Sequence, residues 1–242
     1  MSKKNRIRLM AFSALKSGGI YEPTESQAHY LNHVMRLGVG DSVFLFDGIN
    51  GEFQSTLTQL NKKHIVLNVH EKVADFRKSP DVWLLFAPLK KDNTDIVVQK
   101  AVELGVSKIL PVQTQYSSSN IKPERLQAQI IEAAEQSRRT DLPEISALKP
   151  LEKLLENWDQ KRTLVYLNET GDGQSFMSAF KKMKEPVAFL VGPEGGFSQK
   201  ELQLLKNLPF ALSLSLGERI LRAETACISA LSCWQAFCGD WK

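Results

Sequence analysis

The chain has little cysteine and little histidine, and each shortage excludes some chemistry. The 3 cysteines, Cys227, Cys233 and Cys238, crowd into one stretch and form no Cys-x-x-Cys pair, so neither a zinc ribbon nor a dithiol redox pair is expected. With Ala230, Leu231 and Trp234 they recur at helical spacing, the pattern of small apolar residues on a buried helix face. All 4 histidines (29, 33, 64 and 70) lie in the first part of the chain, so chemistry in the remainder must do without a histidine base from that region. His29 and His33 are spaced like a zinc pair, but no Glu follows His29 and no third ligand presents itself, so no metal is expected. Uninterrupted apolar runs fall well short of the ~18 residues a membrane span needs. The start, Met1 to Arg6, is basic but leads into strand-like polar alternation rather than an apolar signal core, so a cytoplasmic location without membrane attachment is expected. Internal repeats and low-complexity tracts are also lacking.

What is present is a soluble-type composition over 242 residues, 43% hydrophobic and 24% charged, enough for one large or two smaller domains. Residues 1–72 carry a net charge of +3 and the remainder +1, a balance that permits a nucleic-acid partner without requiring one. The first stretch reads mostly as strands: Arg6–Phe12, Ser42–Phe46, a run from Glu52, and Ile65–Val69, with an amphipathic helix from Thr24 to Leu37 stopped by Gly38. A small antiparallel barrel is predicted. From Pro80 the pattern changes. The apolar run Val82–Ala87 suits a strand covered on both faces, and strands at Lys108–Val112, Thr163–Leu167, Val187–Val191 and Leu212–Leu216 alternate with helical sequence. That alternation predicts an α/β domain with a parallel sheet. Pro111 argues for an end or an edge in its strand. The joint falls near residues 72–80.

Two strand-to-helix connections invite a ligand. In Val187–Glu201 a buried strand runs into Gly192-Pro193-Glu194-Gly195-Gly196, and Ser198 with Glu201 forms a capping box that places the next helix start. Ligands of open α/β sheets bind beyond the carboxyl ends of strands, where this loop falls, and glycines let the backbone approach a ligand closely. The loop is neither a Walker A nor a Gly-x-Gly-x-x-Gly motif, and spacing alone suits a tight turn equally well. The second connection, Leu214–Ala226, places Arg219 and Arg222 at a helix entrance where cations are disfavoured, a local cost that hints at function.

The segments His29–Gly48, Lys100–Pro111, Glu132–Ile145, Val191–Glu201 and Leu216–Ala230 together resemble the RsmE-type family, 16S ribosomal RNA uridine N3-methyltransferases of the SPOUT superfamily. The most specific pieces are Gly192-Pro193-Glu194-Gly195-Gly196 and Leu216-Gly217-x-x-Ile220-Leu221-Arg222-x-Glu224-Thr225-Ala226, in that order. The resemblance implies a PUA-like RNA-binding barrel (1–72) and a SPOUT methyltransferase domain (73–242) whose parallel sheet ends in a C-terminal trefoil knot, something ordinary chain-threading rules would predict against. It implies S-adenosyl-L-methionine as cofactor, held by Leu167, Asn168, Glu169, Leu190, Gly192, Pro193, Gly196, Leu216, Gly217, Ile220 and Leu221. It also implies a homodimer, and 16S rRNA or the assembled small ribosomal subunit as partner. Two places depart from the family: Lys91-Asp92-Asn93-Thr94-Asp95, where relatives often have Gly, a basic residue and Met, and Gln115-Tyr116-Ser117, where they tend to carry Glu-Arg.

The implied reaction needs a proton acceptor for the uracil imide and donors for its oxygens. Arg222 is the favoured cation for O2 or O4, with an ion pair to Glu224 as its alternative role. Glu103, Glu135, Glu194 and Glu224 remain as candidate acceptors, or bulk water, and Glu224 is taken with Arg222 as the catalytic pair. RNA phosphates would be met by Arg6, Arg8, Arg36, Arg138 and Arg139, with Lys3 and Lys4. A ribose 2′-O-methyltransferase of the same superfamily and a non-catalytic RNA-binding module are the competing readings.

Overall fold

The computed structural model describes residues 7–61, 64–117, 121–169 and 172–241. The chain divides into two compact units, one comprising residues 1–78 with 134–142, the other 79–133 with 143–242.

In the first unit a five-stranded sheet has the order β1-β3-β4-β5-β2, where β1 is Arg8–Met10, β2 Ile20–Tyr21, β3 Ser42–Phe46, β4 Glu52–Asn61 and β5 His64–Ala74. All its pairs are antiparallel except β1 with β3, which is parallel and departs from the wholly antiparallel expectation. Register shifts along the long β4–β5 ladder curl the sheet, as bulges do. The concave face closes over Leu31, Val43, Leu45, Leu57 and Leu67, all of them fully buried. The helix expected from Thr24 to Leu37 is α1 (Glu25–His29), started by a Thr24–Gln27 capping box and widening into a π-helical turn at Tyr30–Val34. Asp47 ties two loops of this unit together, accepting from the backbone N–H groups of Leu15, Ile49 and Asn50 and from the Asn50 amide.

The second unit is built on a parallel sheet of order β11-β13-β10-β12-β6-β7-β8, with β9 pairing to β7. Here β6 is Val82–Phe86, β7 Lys108–Gln113, β8 Glu144–Ile145, β9 Lys149–Pro150, β10 Thr163–Leu167, β11 Gln174–Ser175, β12 Val187–Val191 and β13 Ala211–Ser215. The helices are α2 (Lys91–Glu103), α3 (Pro123–Ser137), α4 (Leu151–Glu156), α5 (Phe176–Ala179), α6 (Gln199–Lys206) and α7 (Ala223–Phe237). Every residue of β12 is buried, as its unbroken apolar run demands of a strand covered on both faces. Pro111 falls where β7 changes partner from β8 to β9, so its missing N–H interrupts no continuous ladder on that side. Along α7, Cys227, Ala230, Leu231 and Trp234 are buried, and the Trp234 indole N–H donates to the Met183 carbonyl at 2.6 Å. Burial, with the Glu224 carboxylate as a second cause, pushes the Cys227 thiol far up, so it stays protonated and inert.

Candidate functional site at the carboxyl ends of the central strands

The order β13-β10-β12-β6 sets the site. These four strands are parallel neighbours, so their carboxyl ends and the turns that follow lie along one edge. The turn after β10 (Leu167–Glu169) therefore lies between the glycine loop after β12 and the turn after β13, while β6 brings in Lys90 and Asn93. Together they line a cavity of about 710 Å³, within the range of roughly 300–1,000 Å³ usual for small-molecule sites. Both connections singled out by sequence meet here, although residues 202–213, most of α6 and the start of β13, lie between them in the chain.

Leu167, Asn168, Glu169, Gly192, Pro193, Gly196, Leu216, Gly217, Ile220 and Leu221 all line this cavity. Leu190 does not. It is fully buried in the sheet core, and its neighbour Val191 takes the place at the wall, because successive side chains of a strand point to opposite faces. Sequence reading also missed Lys90 and Asn93. The pairing of β6 to β12 puts them at the site, and only sheet order, which is absent from local periodicity, could have pointed to them.

Backbone conformation explains the glycines. Gly196 has φ +70°, and a Cβ there would come within 2.3 Å of a Glu169 carboxylate oxygen. Gly217 also adopts a left-handed conformation (φ +108°) but faces open space. The capping box starting α6 is in place: Glu201 Oε2 accepts from the Ser198 N–H at 2.8 Å and from its hydroxyl at 2.9 Å. Its other oxygen accepts from the Gln115 N–H at 2.9 Å, which ties the loop after β7 to the same helix start.

Arg222 and Glu224 both line the cavity. Arg222 is the exposed N-cap of α7 and makes no side-chain cap bond, and no ion pair joins it to Glu224 among the described residues. Glu224 lies in the first turn of α7, where a carboxylate is favoured, and its Oε2 is buried without a hydrogen-bond partner. Of the other candidate acceptors, Glu194 lines the cavity too. Glu103 is paired with Lys100 at 2.8 Å, and Glu135 accepts from the Met10 N–H at 2.9 Å. Neither lines it.

The arginines proposed for RNA divide. Arg36 and Arg138 are exposed, both with positive φ. Arg6 lies outside the described residues. Arg8 and Arg139 are corrected: both are buried. Arg8 donates to Glu52 and to the carbonyls of Ala134, Glu135 and Arg139, and Arg139 pairs with Asp141 through two bonds of 3.0 Å. Their guanidinium groups hold the first unit together and are not presented to phosphates.

Two family models match the chain, an RNA methyltransferase domain over residues 77–235 and an RNA methyltransferase PUA domain over residues 23–69. Among named relatives, ribosomal RNA small subunit methyltransferase E of Rickettsia conorii is 32% identical, the match covering 95% of this chain and 94% of the relative. The Synechocystis protein of the same name is 33% identical over 86% of this chain and 70% of its own length. Among solved structures, a Legionella pneumophila methyltransferase in complex with S-adenosylmethionine superposes with a TM-score of 0.89 at 31% identity, covering 98% of this chain and 99% of the other. Ribosomal RNA small subunit methyltransferase E of Neisseria gonorrhoeae, bound to S-adenosylmethionine, gives 0.85 at 28% identity, over 98% and 100%. The fold of SPOUT methyltransferases, a barrel-like first unit and the strand-end cavity thus occur together in a chain that belongs to the ribosomal RNA small subunit methyltransferase E family.

Proposed function

We propose that this chain transfers a methyl group from S-adenosylmethionine to N3 of a uridine in 16S ribosomal RNA. The observation that carries the reading is the single cavity formed by the three turns after β10, β12 and β13. A cofactor of that size fits it: the volume is sufficient, the Gly192–Gly196 loop leaves backbone exposed, and Leu167, Leu216 and Leu221 offer apolar surface for a heterocycle. Backbone groups of the glycine loop and of Leu216–Leu221 would hold the adenine. Bound S-adenosylmethionine supplies a methyl carried on a sulfonium.

The remaining work falls to side chains. Uracil N3 is a weak nucleophile until its proton leaves and negative charge spreads to O2 and O4. Arg222, a cation at the cavity mouth, favours that anion and stabilises the charge on the oxygens. Glu224 Oε2, buried and unpartnered, is the acceptor best placed to take the proton. Holding the base in line with the methyl contributes up to ~7–11 kcal/mol.

On this reading residues 1–72 form the main RNA-binding part and residues 73–242 carry the chemistry, with Arg36 of the former and Arg138 of the latter as phosphate contacts. The C-terminal part is threaded as a trefoil knot, and the enzyme works as a homodimer in the cytoplasm. The exposed apolar side chains Phe237 and Trp241, at and just beyond the end of α7, and Met177 on α5 support the dimer. Primer extension on 16S rRNA from a strain lacking the gene, before and after treatment with the protein, tests the proposal, since an N3 methyl blocks pairing and halts the polymerase. A new stop appears with the wild type. Arg222→Ala leaves cofactor affinity by calorimetry unchanged and lowers turnover at least tenfold. Unaltered turnover removes Arg222 from the mechanism, and no stop with the wild type removes the activity.

A further inference from the structure

The cavity accounts for one reactant, the methyl donor, but its walls offer no aromatic face for a flat nucleobase except Phe197, whose ring packs against the Gly192 backbone: a Cβ at Gly192 would come within 3.1 Å of it. One aromatic side chain nearby is uncommitted. Tyr116, in the loop after β7, is 54% exposed and takes part in no aromatic pair or hydrogen bond among the described residues. Its position is nonetheless fixed. A Cβ added to Gly195 would lie 3.2 Å from the Tyr116 Cβ, so the side chain packs closely over the bare backbone of residue 195. Its loop is pinned on both sides of the ring. The Gln115 N–H donates to Glu201 at 2.9 Å, the Thr114 N–H donates to the Ser117 hydroxyl at 3.0 Å, and that hydroxyl donates back to the Thr114 carbonyl. On either side of Gly195, Glu194 and Gly196 line the cavity, so Tyr116 packs beside the loop that forms part of its wall.

An exposed, preorganised aromatic ring beside the wall of a site has a physical use if the substrate is a base taken out of its stack. Removing a base from stacking costs free energy, and an aromatic face returns part of it without demanding a particular sequence. We infer that Tyr116 is the stacking platform for the acceptor nucleobase, positioning it at the rim of the cavity beside the Gly192–Gly196 loop. The inference rests on the proposed RNA methylation. It adds a substrate-positioning residue in the loop after β7. The ring, not the hydroxyl, carries the role, because the hydroxyl has no partner to orient it.

The test compares wild type, Tyr116→Phe and Tyr116→Ala on unmodified small ribosomal subunits with labelled S-adenosylmethionine. Cofactor affinity is measured by calorimetry, and affinity for the same RNA by filter binding. The expected result for Tyr116→Ala is a KM for RNA raised roughly tenfold, with cofactor affinity unchanged, and recovery of most of the loss by Tyr116→Phe. A KM for Tyr116→Ala within about twofold of wild type overturns the inference, as does a Tyr116→Phe variant as impaired as the alanine. If the wild type transfers no methyl, the proposed activity fails on its own account, and RNA affinity decides the platform: tenfold weaker binding by Tyr116→Ala supports it, equal binding overturns it.

Discussion

Single residues in this chain carry weight when buried polar atoms are involved, and Asp47 is the clearest case. Burial alone would raise its carboxyl pKa, but the hydrogen bonds from Leu15, Asn50 and Ile49 outweigh that and hold it below the usual carboxylate range. A carboxyl whose folded pKa is depressed contributes stability that is present above its unfolded pKa and lost as pH falls through the folded one. Asp47 therefore adds to acid sensitivity only below about pH 4, the range where free aspartate protonates. Asp47→Ala strips four donors of their acceptor at once and is expected to cost about 2–3 kcal/mol. Chemical denaturation at pH 7 measures that loss, and the gap between variant and wild type narrows as the titration is carried below pH 4. A gap that stays constant with pH would show that the carboxylate charge is not what matters.

At the scale of elements, the parts legible in the sequence were those with local causes. The apolar run of β12 and the Ser198–Glu201 cap could each be read from neighbours in the chain, because burial on both faces and capping are short-range demands. The helix after Thr24 was legible at its start, where Gln27 completes the cap, but its widening at Tyr30–Val34 leaves no mark in composition. Glu201 has a second task that spacing did not reveal, since its other oxygen holds Gln115, 86 positions away. The cap is thus a hub, and its loss should be felt in two loops. Ser198→Ala removes the hydroxyl that caps α6 and is expected to destabilise the protein by about 1 kcal/mol. It should also weaken S-adenosylmethionine binding several-fold, because the glycine loop leads directly into that helix. Thermal melts and calorimetry on the same variant separate the two effects. A lowered melting temperature with unaltered affinity would mean that the cap stabilises the helix without shaping the loop.

At the scale of the whole molecule, what sequence could not show is which distant segments fold together. The strand order that gathers four turns at one edge depends on pairings between segments far apart in the chain, so Lys90 and Asn93 escaped notice. For the same reason Arg8 and Arg139 looked like surface cations. Both belong to a compact unit that takes residues 134–142 from much later in the chain. Within that unit the Arg8 guanidinium, buried against Glu52, finds its other acceptors at the carbonyls of Ala134, Glu135 and Arg139, all at 2.8–2.9 Å. A fragment ending at residue 78 would keep Arg8 and Glu52 but lose those three carbonyls and the Thr140 hydroxyl that accepts from the Arg77 N–H. A hydrogen bond to a charged group is worth about 1.5–3 kcal/mol, so losing several is a large share of the roughly 5–15 kcal/mol that holds a domain together. The fragment 1–78 should therefore melt broadly or remain unfolded by circular dichroism and amide dispersion, whereas the same fragment extended through a short linker by residues 134–142 should recover a cooperative transition. A sharply folded 1–78 would show instead that the curled sheet and its apolar core suffice, and that Arg8 can find replacement partners in water.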